Sequence, residues 1–279
     1  MGLSALIAPL LVQQQLVRLD VPLALGASVL LWVMALDGRI GLFDGLLLTA
    51  GILAYTAFAI HQGRQESAEV QAEYAQEFGG GQGAWLDRLP VQIALIVAGL
   101  VLLVLGATWL VDSAVAIARA LGMSEVVIGL TIIAAGTSLP ELATSVVAAL
   151  RGERDIAVGN VIGSNLFNIL AIAGIAALVT PGGLEVAAVL IRFDLPVMIA
   201  VALACLPIFA TGHRIARWEG ALFLGYYAAY VLYLILAASQ HATLPAYSGA
   251  MLGFVLPLTV VTLIVLLVRH RTLTAEGAP

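Results

Sequence analysis

Polar residues are so sparse along this chain that its apolar runs approach membrane-spanning length about eight times. The windows fall near 21–36, 42–61, 91–118, 125–150, 156–179, 195–210, 218–237 and 248–268, each near the 17–20 apolar residues a helix needs to cross hydrocarbon. The stretch from Met1 to Val12 is too short to cross unaided, and no basic residue precedes Arg18, so it lacks the charged start of a signal peptide. It reads as the tail of a helix whose beginning is absent. Two windows carry polar atoms where hydrocarbon should exclude them. Gly129-Leu-Thr-Ile-Ile-Ala-Ala-Gly-Thr-Ser-Leu-Pro-Glu141 holds a proline and a carboxylate, and Gly159-Asn-Val-Ile-Gly-Ser-Asn-Leu-Phe-Asn168 holds three asparagines and a serine. An ionisable group near the bilayer centre costs about 2.5–10 kcal/mol, and proline removes a backbone hydrogen bond that lipid cannot replace. One acid beside several neutral oxygens describes half of an intramembrane cation site.

Composition agrees with a helical protein that crosses the membrane many times. The 279 residues are 62% hydrophobic and 10% charged, with a mean hydropathy of +1.06, against about 25% charged residues in soluble domains. The formal charge of −5 says little about partners, because much of the acid sits in one loop. The single Cys205 rules out an intrachain disulfide framework and a cysteine metal cluster. All twelve basic residues are arginine. If the spans alternate, Arg18, Arg64, Arg88, Arg151, Arg154, Arg214, Arg217, Arg269 and Arg271 share one side, and Arg39, Arg119 and Arg192 the other. Nine against three makes the first side cytoplasmic, which places loop 62–90 and the C-terminus there. That loop is Glu/Gln-rich and then glycine-rich, and too short for a folded domain. It reads as a linker rather than a sensor.

The chain also repeats itself. Ala5-Leu-Ile-Ala-Pro9 recurs as Ala177-Leu-Val-Thr-Pro181, Arg18-Leu-Asp20 as Arg192-Phe-Asp194, Arg39-Ile-Gly-Leu-Phe-Asp-Gly45 as Arg214-Ile-Ala-Arg-Trp-Glu-Gly220, and Ala54-Tyr55 as Ala229-Tyr230. Five spans separate the copies, and an odd number of crossings inverts the second, as in transporters that bind substrate at the midplane between inverted repeats. The polar motifs lie just before Ala177, and their counterpart would lie before Ala5. The expected organisation is therefore the remainder of a first membrane repeat over 1–61, a linker over 62–90, a second repeat over 91–239 with the polar motif at 129–168, and a further helix and tail over 240–279.

Gly136-Thr-Ser-Leu-Pro-Glu141 followed by Gly159-Asn-Val-Ile-Gly-Ser-Asn165 resembles an alpha-repeat of the calcium/cation antiporter superfamily, in particular its prokaryotic sodium/calcium exchangers. The resemblance runs from about Met1 to Ser239. It implies an all-α inverted-repeat exchanger fold, incomplete at the N-terminus, in which two alpha-repeats enclose the ions. It also implies roles for individual residues: Glu141 as the central carboxylate ligand, Thr137 and Ser138 as oxygens beside it, Ala134 as a carbonyl ligand, and Ser164 and Asn168 completing this half. Some members have aspartate where this chain has Asn168, which lowers the site's negative charge. Calcium takes six to eight oxygen ligands, and these residues supply oxygen alone. Pro140 should free carbonyls such as that of Ala134, leaving Thr137, Glu141 and Thr144 on one helical face at i, i+4 and i+7.

The implied activity is exchange of calcium for sodium or protons in the plasma (inner) membrane. It involves no cofactor, enzyme chemistry or nucleic acid, and the partners are the lipid bilayer, the ions and a homo-oligomer or a partner supplying the missing repeat. The competing function is a truncated or half-site membrane protein without transport of its own. An intramembrane hydrolase lacks a base, since all four histidines lie at span ends or in loops. Blander readings accompany each motif. Ser138-Leu-Pro-Glu141 is also a capping box, Gly159 and Gly163 form a small-xxx-small packing motif, and Asn160 and Asn165 suit hydrogen bonds between helices. Asp112 stands either at a position common in the resembled family or at an interfacial cap.

Overall fold

The computed structural model describes residues 1–63, 88–210, 213–262 and 264–265. The linker reading for 62–90 and the tail after 265 fall almost wholly outside these residues. Among the described residues seven helices are long and apolar enough to span a bilayer: Leu16–Asp37, Leu42–His61, Leu89–Ala120, Ile156–Val179, Leu190–Phe209, Arg217–Ala238 and Leu244–Thr262. The eighth window, 125–150, is interrupted. It forms short helical pieces up to Gly136 and a separate helix from Leu139 to Leu150.

In chain order the α-helices are α1 Gly2–Ile7, α2 Val21–Met34, α3 Leu42–Gly63, α4 Leu89–Ala120, α5 Glu125–Ile128, α6 Ala134–Gly136, α7 Leu139–Leu150, α8 Arg154–Phe167, α9 Ala173–Val179, α10 Leu195–Ala210, α11 Arg217–Ala238 and α12 Leu244–Ala250. π-helical turns Leu16–Asp20, Asn168–Ile172 and Leu190–Asp194 run directly into α2, α9 and α10. Two of the spans therefore begin about five residues earlier than apolarity indicates, and they take Arg18, Asp20, Arg192 and Asp194 into the helices. Pro22 and Pro196 stand at the second residue of α2 and α10, just after these turns and inside the continuous spans, so the wider π-turn precedes a residue that has no N–H to donate to the turn before it.

The repeat seen in the sequence recurs in three dimensions. Two two-residue ribbons, β1 Leu10–Leu11 with β4 Arg214–Ile215 and β2 Arg39–Ile40 with β3 Leu184–Glu185, each pair one copy with the other. Leu10 faces Ile215 and Ile40 faces Leu184, so the second ribbon is the first with the copies exchanged. The helices reciprocate in the same way: α1 packs on α11, and α9 packs on α3. Equivalent contacts made in both directions are the mark of a two-fold relation. Asp44 and Glu219 match too, accepting the N–H of Gly41 at 2.8 Å and of Ala216 at 2.7 Å at the starts of α3 and α11.

Close helix crossings explain the paired glycines. A Cβ on Gly45 would lie 2.9 Å from the Gly174 carbonyl oxygen, and one on Gly220 would lie 2.8 Å from that of Gly2. Small residues let backbones approach where lipid supplies no hydrophobic drive between helices. The core inside this frame includes Leu10, Val21, Leu48, Val158, Leu166, Phe209 and Ile215. The outward faces are apolar and open, as at Phe43, Leu102 and Trp109. The last helix, α12 and its continuation, lies against α11, where Tyr247 donates to the Ala229 carbonyl at 2.8 Å and Tyr226 bonds Thr259.

Gly174→Ala tests this crossing. Its Cβ would sit 2.8 Å from Thr49 Oγ1 and 3.0 Å from the Thr49 nitrogen, and overpacking of this kind costs about 1–3 kcal/mol. Denaturant unfolding in detergent should show that loss. Gly26→Ala in α2, with nothing within 4 Å of its Cβ, should be neutral or stabilising by up to about 1 kcal/mol.

Candidate functional site

The interruption in 125–150 arises from backbone hydrogen bonding. Pro140 has no N–H to give the Gly136 carbonyl, and the Ser138 N–H turns to Ala135 at 3.2 Å rather than reaching Ala134. The Ala134 carbonyl instead accepts the Thr137 hydroxyl at 3.1 Å. The chain stays near helical dihedrals through Thr137 (φ −63°, ψ −23°) and leaves them slightly at Ser138 (φ −97°, ψ 7°), so this is a break within a helix line rather than a long unwound segment. One sequence expectation changes as a result. Thr137 closes the first piece, so it does not share a continuous helical face with Glu141 and Thr144. The Thr144 hydroxyl also turns back to the Pro140 carbonyl at 2.8 Å.

Glu141 lies in the first turn of α7, where the helix N-terminus favours negative charge. The residue is half-buried, its Oε2 is fully buried, and that oxygen has no hydrogen-bond partner among the described residues. A buried, unsatisfied carboxylate oxygen is costly, and it is the kind of atom a cation would satisfy. Ser138 caps α7 without a side-chain capping bond, so the capping-box reading does not account for its hydroxyl.

Asn160 takes the structural part assigned to the asparagines. From α8 its Nδ2 donates to the Glu141 carbonyl at 3.1 Å and to Ser145 Oγ at 3.0 Å, pinning α8 to the first turns of α7. Asn165 is exposed. Ser164 is half-buried and donates to the Val161 carbonyl at 3.0 Å, while Asn168 opens the π-turn after α8 and is exposed. Ala134, Thr137 and Ser138 are exposed as well. The structure thus joins Ala134 to Thr137 and, through Asn160, α8 to Glu141. Among the described residues no hydrogen bond joins Ser164 or Asn168 to the Glu141 side chain.

Helix α4 backs this arrangement. A Cβ on Gly136 would come within 2.1 Å of Val111 Cγ2, so this glycine of the motif is required by packing. Val115, Ala118 and Ile128 form a small core of their own beside Val111 and Ile132. Arg119 closes the α4–α5 turn by gripping Glu125 with both carboxylate oxygens, at 2.6 and 2.8 Å. Asp112 is exposed on α4. A cavity of about 300 Å³ opens between α4, α7 and α8, lined by Leu103, Thr144, Val147, Arg151 and Glu153 among others, and Thr144 lies one turn beyond Glu141.

The sequence does not show that four polar residues pair inside the frame: Asp20, which is buried, and Tyr55, Asp194 and Tyr230, which are half-buried. Tyr55 donates to Asp20 at 3.1 Å and Tyr230 to Asp194 at 2.5 Å. The signal was present, because all four are matched positions of the internal repeat.

Gly136→Ala should cost about 1–3 kcal/mol by overpacking, read as a fall in thermal midpoint. Val111→Ala in the same chain should recover most of that loss, because it removes the opposing methyl.

Comparison with known proteins supplies the rest. Residues 91–236 match the family model described as sodium/calcium exchanger protein. CaxA of Alkalimonas amylolytica is 36% identical over 234 residues, covering 81% of this chain and 71% of that protein. The inner membrane protein YrbG of Escherichia coli K12 is 34% identical over 209 residues, covering 74% of this chain and 63% of YrbG. The crystallised sodium/calcium exchanger from Methanococcus jannaschii superposes with a TM-score of 0.63 at 30% identity, covering 83% of this chain and 69% of the exchanger. The chain therefore matches roughly two thirds of the length of these relatives. With the family model covering 91–236 and the fold shared at that identity, this chain is a multi-pass membrane protein that belongs to the sodium/calcium exchanger family.

Proposed function

We propose that the protein is a secondary active antiporter in which Glu141 binds calcium in alternation with sodium or protons. The observation that carries this reading is the buried, partnerless Oε2 of Glu141 at a helix break, within a chain of an exchanger family. Thr137, Ser138, Ser164, Asn168 and the Ala134 carbonyl are the proposed neutral oxygens. With Asn168 amidic, this half of the site carries a single negative charge, which suits a weak, exchangeable site better than a storage site. The proposed setting is an inner membrane, as named for YrbG, with loop 62–90 and the C-terminus on the cytoplasmic side from the arginine asymmetry. The 1–61 and 91–239 divisions serve as the two membrane repeats, and 240–279 as an accessory helix and tail.

A second reading rests on exposure. Ala134, Thr137, Ser138 and Asn168 face outward, and calcium takes six to eight oxygens. The opposing ligands then come from outside the described residues, in a second copy or another polypeptide, and the 279-residue chain alone is transport-inactive.

In reconstituted vesicles, Glu141→Gln should abolish calcium flux driven by a sodium or proton gradient while leaving insertion and thermal stability intact, because it keeps size and removes charge. Full flux in this variant would make Glu141 structural. Asn168→Asp should tighten divalent binding severalfold, and unchanged ion dependence would remove Asn168 from the ligand set. If the 279-residue chain inserts and folds in these vesicles but moves no calcium under either gradient, the second reading holds.

A further inference from the structure

Asp20 and Asp194 occupy the same place in the two copies: each is the last residue of a π-helical turn, Leu16–Asp20 and Leu190–Asp194. Each accepts a tyrosine hydroxyl from the next long helix of its own copy, Tyr55 on α3 and Tyr230 on α11. Among the described residues neither Arg18 nor Arg192 forms an ion pair with the neighbouring aspartate, so the tyrosine is the partner that matters. Asp20 is 7% exposed, and Tyr230 is stacked against Phe193 with centroids 6.1 Å apart. A carboxylate inside an apolar helix costs several kcal/mol, and this chain bears that cost twice at equivalent positions. Neither carboxylate belongs to the Glu141 site.

The helix that each tyrosine fixes packs on the opposite copy. Helix α3, which carries Tyr55, lies along α9 and the turn Asn168–Ile172, the segment that carries Asn168. Helix α11, which carries Tyr230, lies along α1, the short helix of the first copy. The glycine crossings Gly45–Gly174 and Gly2–Gly220 are the points of contact. Trp32 of α2 adds a further link between copies, donating its indole N–H to the Ile191 carbonyl at 2.9 Å.

We infer that Asp20–Tyr55 and Asp194–Tyr230 are crossed positioning pairs, each setting the place of the segment of the other repeat that packs on its tyrosine's helix, residues 168–179 and α1 respectively, so that Asp20–Tyr55 holds the Asn168 side of the ion site in register. The link to ion affinity rests on the ion-site reading above, whereas the crossed mechanical effect does not.

Amide hydrogen exchange on the full chain in detergent separates these claims. Tyr55→Phe, which deletes one hydroxyl, should raise exchange over 168–179 at least tenfold and leave 2–7 within twofold. Tyr230→Phe should do the reverse. Asp20→Asn keeps an acceptor oxygen and should hold 168–179 within threefold of the wild type. A uniform rise across the chain, loosening confined to each variant's own copy, or no change at either segment would overturn the inference. In calcium titrations, Tyr55→Phe should raise the half-saturating concentration at least threefold and Asp20→Asn should not. If the wild type binds no calcium but the crossed exchange pattern appears, the ion-site reading fails and the positioning pairs stand. If calcium binds while the crossed pattern is absent, the reverse holds.

Discussion

One buried carboxylate oxygen, Oε2 of Glu141, sets the terms for its surroundings. In an apolar setting a charged group without a partner is far costlier than any single packing contact, so the chain around it is arranged to make that atom tolerable and usable. Pro140 and Ser138 start a new helix just before it, which turns a helix N-terminus toward the charge. Asn160 spends its amide hydrogens on the Glu141 backbone and on Ser145, leaving the side-chain carboxylate uncommitted. Gly136 lets the first half of the broken helix lie directly on Val111. Among the described residues the carboxylate oxygen is left without a hydrogen-bond partner, which the proposed cation site requires.

The frame that carries this site is held by reciprocity. Among the described residues the main ties from the first copy to the second have partners running the other way: ribbon to ribbon, short helix to long helix, glycine to glycine. A frame built so resists shear, since tilting one hairpin strains both crossings. The match is incomplete at one place. The broken helix and α8, residues 125–167, have no equivalent among the described residues of the first copy, and this is where polar side chains lie exposed.

Much of the architecture was legible in the sequence because lipid imposes one rule, long apolar helices, and because the repeat left marks at Ala5, Asp20, Gly45 and Tyr55. Where the reading went astray, local backbone chemistry was responsible. Apolarity placed the starts of the spans Leu16–Asp37 and Leu190–Phe209 too late, because Asp20 and Asp194 look like loop residues until a tyrosine 35 or 36 positions on is seen to satisfy each. Those residues had been recognised as markers of register, but hydropathy cannot show that two markers touch. Pro140 marks a helix break in the sequence, but not its place: the break falls at Thr137–Ser138, between Thr137 and the pair Glu141 and Thr144 expected to share its face. Asn160 and Asn168 look alike in sequence, and their different roles emerge from which neighbour each amide reaches.

The central claim is that the Glu141 carboxylate itself meets the transported ion. Calcium-induced infrared difference spectra of the detergent-purified chain report that contact directly through the carboxylate stretching bands. The account predicts a calcium-dependent shift of the antisymmetric band in the wild type and in Asp112→Asn, and its disappearance in Glu141→Gln. A shift that persists undiminished in Glu141→Gln would place the ion on another carboxylate and contradict the account.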